Sequence, residues 1–185
     1  MRVENQMYIH YQKGSLVFYA LQDYLGEDTV NRAIAAYIKE VAFQGPPYTT
    51  SLELLAHLQR VTPPELQYLI TDLFETITLY DNRAVAATAS TRADGRYDVR
   101  LTVSVQKVRA DELGAEREVA VHDLIDVGIF GADGKLLYLD KHWLRAGTQE
   151  ITVTVPAPPA RAGVDPLHKL IDRKPDNVVR VDVGA

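Results

Sequence analysis

The sequence predicts an α+β protein: a helical bundle of about four helices, followed by an antiparallel β-sandwich of six or seven strands. Three observations lead there. Before Tyr80, apolar residues recur at steps of three and four, the period of one helix face. After Tyr80 they alternate, the period of a strand with one face buried and one wet. Two Asp-Gly pairs, Asp94-Gly95 and Asp133-Gly134, punctuate the second half. Both residues of such a pair tolerate positive φ, as a tight hairpin turn requires. The chain therefore divides into a helical part, 1–78, and a β part, 79–185.

The first predicted helix runs from about Tyr11 to Leu25, with Tyr11, Gly14, Phe18, Leu21 and Leu25 on one stripe. Gly26 stops it, because glycine enters the left-handed cap conformation without a Cβ clash. The second helix begins at once. Glu27 and Asp28 place negative charge at the positive end of its dipole, and Val30, Ile34, Tyr37, Ile38 and Val41 form its inward face. Gln44-Gly45-Pro46-Pro47 closes it, since proline can neither donate nor continue the helix. Thr50 and Glu53 have the spacing of a capping box for a third helix, with Leu52, Leu55 and Leu58 inward and Val61 extending the stripe. For a fourth helix, Thr62 is the cap, Pro63 suits the first position and Glu65 completes the box. Leu66, Leu69, Ile70, Leu73 and Phe74 supply its apolar face.

In the second half, Tyr97, Val99, Leu101, Val103 and Val105 alternate with polar residues, and a preceding strand covers about Thr78 to Thr91. Asp126–Phe130 and Lys135–Lys141 flank the second Asp-Gly turn. Ile151, Val153 and Val155 alternate again, as do Val179, Val181 and Val183. Short strands at close spacing suggest a sandwich. The stretch from Pro156 to Asn177 reads as a long ordered loop, in which Asp172 and Arg173 serve as anchors. Leu79 and Tyr80 are expected where the two halves meet.

Composition excludes several functions. The net charge is −5 and Lys and Arg are scattered, so the basic footprint of a nucleic-acid binder is missing. With no cysteine there is no disulfide, thiolate zinc site or cysteine nucleophile. No apolar run is long enough to span a membrane, so this chain is not expected to be membrane-inserted. The opening MRVENQMYIHYQKG holds no apolar core of a secretory leader. The five histidines are His10, His57, His122, His142 and His168, and no two stand four apart. There is no H-E-x-x-H, no G-x-S-x-G elbow and no P-loop. No cofactor or metal site is therefore expected in this chain.

One local pattern carries chemistry. Tyr11-Gln12-Lys13-Gly14 opens the first helix, Leu25-Gly26 closes it, and the next helix contains Tyr37. This resembles the segment Y-x-K-G, apolar helix, L-G of M1-family (gluzincin) zinc aminopeptidases. The order of helices and then a β-sandwich is similar to that family as well, with Leu79-Tyr80-Asp81-Asn82-Arg83 at the crossing. Ala162-Gly163-Val164-Asp165-Pro166, Leu170-Ile171-Asp172-Arg173 and Asp176-Asn177-Val178 look like the end of bacterial M1-type peptidases fused behind a permease-like membrane segment.

The resemblance implies that the helical part is the C-terminal half of a thermolysin-like catalytic domain. It implies that Tyr11 is the family's catalytic tyrosine. A positioned phenol can donate a hydrogen bond to the oxyanion that forms in peptide hydrolysis. The zinc ligands, the glutamate base and the glutamates that hold the substrate's amine are not in these residues. Zinc, the rest of the catalytic domain and a peptide substrate are thus expected of a full-length parent, and this piece alone is expected to be inactive. The parent would be a membrane-anchored protein with this part outside the bilayer. Read without the resemblance, Tyr11 is an ordinary core aromatic, Lys13 a solvated helix-start residue, His10 a surface histidine, and Tyr8 and Tyr37 core or interface aromatics. Two other readings remain: a peptide- or protein-binding module that adds a strand at a sheet edge, and a structural support domain.

Overall fold

The computed structural model describes residues 7–174 and 176–184, the side chains of 8–10 apart. The first six residues, where the reading of a missing leader falls, lie outside that range. The chain forms two compact units, Met1–Ile77 and Thr78–Ala185. Among the described residues their elements are four α-helices and a mixed, curled sheet, so the protein is α+β.

In the helical unit, α1 covers Gly14–Leu25, α2 Glu27–Val41, α3 Ser51–Val61 and α4 Gln67–Ile70. Gly26 lies at φ 84° between α1 and α2, and its N–H bonds the Gln22 carbonyl at 2.8 Å. A π-helical turn, Tyr8–Lys13, precedes α1. Its i→i+5 bonding puts extra residues into a turn, so the positions before Gly14 fall out of phase with α1. The inward face of α1 is accordingly Val17, Ala20 and Leu21, with Phe18 and Leu25 at its margin. Tyr11 is not on it.

The buried positions of α2 are Val30 and Ala33. Ile38, expected inward, is 53% exposed. It stands five residues from Ala33, about 140° round a helix of 3.6 residues per turn, and so points off the contact with α3. The capping box of α3 is present, with the Thr50 N–H donating to Glu53 Oε2 at 2.7 Å. Leu52, also expected inward, is exposed because it lies about 120° from buried Leu58 on the same geometry.

The fourth helix is not continuous. A 3₁₀ turn, Pro64–Leu66, leads into α4, and a second π turn, Thr71–Glu75, follows. Thr62 does not cap it, since its hydroxyl donates back to the Leu58 carbonyl of α3 at 2.8 Å. Leu21, Val30, Ala33, Leu58 and Ile70 form a core cluster between the helices.

The β unit contains eight strands: β1 Ile77–Thr91, β2 Tyr97–Ala110, β3 Glu116–Glu118, β4 His122–Phe130, β5 Leu136–Arg145, β6 Gly147–Val155, β7 Arg161–Val164 and β8 Val178–Val183. They form one sheet in the order β3-β2-β1-β8-β7-β4-β5, with β6 on β2. Both Asp-Gly turns sit where expected, with Gly95 at φ 80° and Gly134 at φ 79°. Val99, Leu101, Val103 and Val105 face the core, as the alternation requires.

Two expectations are corrected. The strands do not separate into an antiparallel sandwich; they hydrogen-bond into one curled sheet. Nor is that sheet wholly antiparallel, because β1 and β8 run parallel, Ala87 opposite Val181. A parallel neighbour needs a long crossover, and the chain between β1 and β8 supplies it. Alternation identifies a strand but not its direction, so this pairing left no mark in the local pattern. The stretch from Pro156 to Asn177, expected as a loop, contains a strand, β7. Asp165 pins it by accepting the N–H groups of Lys169 at 2.9 Å and Leu170 at 3.1 Å. Asp172 and Arg173 are anchors: Asp172 accepts the Asn82 N–H at 2.7 Å and Arg173 pairs with Glu116 at 2.7 Å. Tyr80 lies in the β unit's own core.

Candidate functional site

The sequence reading rests on Tyr11. The structure places it in the first π turn, three residues before α1, with 72% of its surface exposed. An aromatic of this size in a helical segment is ordinarily buried, since burial removes a large apolar area from water. The phase shift between π and α winding explains the exposure. Leu16 and Tyr19 are exposed on α1 as well, 46% and 51%. Tyr8 and His10 share the turn, but their side chains fall outside the described residues. Tyr37 is half-buried and meets Thr49 Oγ1 at 3.1 Å.

Lys13, the third residue of the motif, is not a solvated helix-start residue. Its Nζ donates to the Thr76 carbonyl at 3.4 Å, 63 positions along the chain. Burial pushes its ammonium below the ordinary lysine pKa. One turn on, the Phe18 ring meets Phe74 edge-to-face at 5.8 Å. Two contacts thus bind the start of α1 to the second π turn.

Among the described residues, no three His, Cys, Asp or Glu side chains are grouped to hold a metal ion. The imidazoles serve elsewhere. His57 bonds Glu40 at 2.9 Å, His142 bonds the Tyr138 hydroxyl at 2.8 Å, and His122 stacks on Trp143 at 4.8 Å between centroids. Among the described helices, none is long and apolar enough to cross a membrane.

The β unit holds polar groups that the sequence reading missed. Lys107 and Asp123, both buried, approach to 2.8 Å, and the Tyr80 hydroxyl donates to the same carboxylate at 2.8 Å. Asp126 accepts from Lys169 at 2.6 Å and from Lys141 at 2.9 Å. A signal was available for the first group. Lys107 continues the inward series Val99 to Val105, and Asp123 is in phase with Ile125, Val127 and Ile129. A charge at an inward strand position is expensive unless paired, so its presence calls for a partner.

On the surface, Tyr80, Asp81, Gln106, Glu118, Arg173 and Lys174 line a cleft of about 340 Å³. Its charges satisfy one another. Asp81 is held down to about 2 by the hydrogen bond from Arg83, with Lys174 adding to the effect. This cluster clamps the start of β1 to Lys174, ahead of β8. Among known proteins, no family model matches the chain, and no curated protein matches it.

Proposed function

We propose that this chain is the C-terminal part of an M1-type zinc aminopeptidase, carrying its oxyanion-stabilising tyrosine at position 11 and inactive by itself. The observation that carries the reading is the exposed phenol of Tyr11 within the Y-x-K-G pattern. Core packing would have hidden this ring; a catalytic role needs it presented. In that role the hydroxyl donates a hydrogen bond to the carbonyl oxygen as peptide hydrolysis makes it negative. The metal and its ligands would come from the remainder of the catalytic domain, outside this chain, and the peptide substrate would bind there. The exposed Leu16 and Tyr19 beside Tyr11 are consistent with a surface that another segment covers. In this reading the β unit, one curled mixed sheet, takes the place after the catalytic domain in the chain, and the parent is anchored in a membrane.

The test uses alanine p-nitroanilide as substrate. The zinc-loaded parent is expected to release the chromophore, and Tyr11→Phe to lower kcat by roughly 10²–10³ with little change in KM, the cost of one lost oxyanion donor. Zinc-dependent turnover by the isolated chain would overturn the inactivity, and an unchanged kcat in the Phe variant would overturn the role of Tyr11. A second reading, a module that adds a peptide strand, is favoured by one observation. β5 ends the sheet order and exposes Leu136 and Trp143 along that edge.

A further inference from the structure

We infer that Lys13 is a positioning residue for Tyr11: its ammonium ties the first π turn to the end of the second, and so sets where the phenol points. The inference rests on the proposed role of Tyr11 for its functional meaning, but the geometry stands apart from that role. Two π turns are brought together, Tyr8–Lys13 and Thr71–Glu75. Such turns are rare, and they recur at functional sites because they displace a side chain from the regular helical phase. Each is also weaker than an α-helix and needs outside support to persist.

Lys13 supplies that support. Thr76 is the residue just past the second π turn, and its N–H and hydroxyl both return to the Thr71 carbonyl, at 3.0 and 2.9 Å. Its own carbonyl lies just past the negative end of the helical segment, a region where a cation is favoured. Lys13 Nζ reaches that carbonyl at 3.4 Å. The Phe18–Phe74 edge contact provides a second tether one turn into α1, so the helix cannot roll away from the second π turn. Tyr11 lies two residues before Lys13, inside the tethered turn. With Lys13 removed, the turn loses the tether that joins it to Thr76 and favours its π over α winding. Rewinding would rotate Tyr11 toward the α1 stripe, where the sequence period alone places it.

The test has two arms. In this chain, Tyr11 is replaced by 3-fluorotyrosine and its ¹⁹F resonance is followed in Lys13→Gln and Lys13→Arg, with circular dichroism confirming that the helices persist. The Gln variant is expected to move and broaden the resonance, and the Arg variant, which keeps a donor, to restore it. A resonance unmoved in Lys13→Gln overturns the inference. Should Lys13→Gln lose its helices, Lys13→Met, which keeps the apolar stem and removes the donor, is read instead against the same resonance. In the zinc-loaded parent, Lys13→Gln is expected to lower kcat for alanine p-nitroanilide about tenfold to a hundredfold, the range for a misplaced catalytic group, with KM held and Arg rescuing. If Tyr11→Phe is crippling while Lys13→Gln is not, positioning fails and the peptidase reading survives. If Tyr11→Phe has no effect, the peptidase reading fails, and the fluorine arm alone decides whether Lys13 holds the turn.

Discussion

Tyr11 and Lys13 show how one residue's role can depend on local winding. Tyr11 belongs to an apolar stripe by spacing and leaves it because the turn that carries it is π rather than α, while Lys13, in the same turn, reaches the Thr76 carbonyl. In the β unit the decisive residues are charges at inward strand positions. Asp123 accepts from Lys107 and Tyr80 in the interior of the β unit. Truncating one partner of such a buried group removes the interaction and leaves the other's desolvation uncompensated. Asp123→Ala is therefore expected to destabilise the β unit by about 3–5 kcal/mol, read as a lower urea midpoint. A loss below 1 kcal/mol would mean that water reaches the Lys107 ammonium.

Elements were legible where their signals are local. The capping box at Thr50 and Glu53, the stop at Gly26 and both Asp-Gly turns lie where the residues put them, because each depends on a few neighbours only. Thr62 was misread because a hydroxyl can serve the helix behind it as well as the one ahead. β3 and β7 escaped notice because three or four residues are too short to display a period. The start of β1 is held by a group from far along the chain: Asp81, already paired with neighbouring Arg83, also binds Lys174. Its carboxyl titrates at about 2 when folded against 3.8 when free, so ionisation favours the folded state. A depressed carboxylate contributes stability that is complete above its unfolded pKa and disappears as pH falls through the folded one. This clamp should thus weaken between about pH 4 and pH 2. The single tryptophan, Trp143 in β5, reports on the same sheet. Fluorescence-detected acid unfolding should be flatter over this window in Asp81→Asn, whereas parallel curves would show that Asp81 contributes nothing.

At the scale of the molecule, the two units differ in what they bury. The β core runs through the sheet from Val99 on β2 to Val181 on β8, while the helical cluster comprises Leu21, Val30, Ala33, Leu58 and Ile70. Many large apolar residues of the helical unit stay exposed, among them Tyr11, Tyr19, Phe43, Tyr48 and Leu52. Stability follows apolar area removed from water, so the helical unit should open first. Urea unfolding followed by helical circular dichroism should precede that followed by Trp143 fluorescence. Coincident curves would instead indicate one cooperative transition.

The sequence by itself determined the α+β class, the change of period near Tyr80, most element types, and the lack of a helical zinc pair. These follow from residue identity and from spacings within a few positions. The parallel pairing of β8 with β1, the single curled sheet, the exposure of Tyr11 and the pairing of buried charges were decided only by the tertiary structure. The reason is the same in each case. They depend on partners distant in the chain, 63 positions for Lys13 and Thr76 and 43 for Asp126 and Lys169, and no local period records which distant group will arrive.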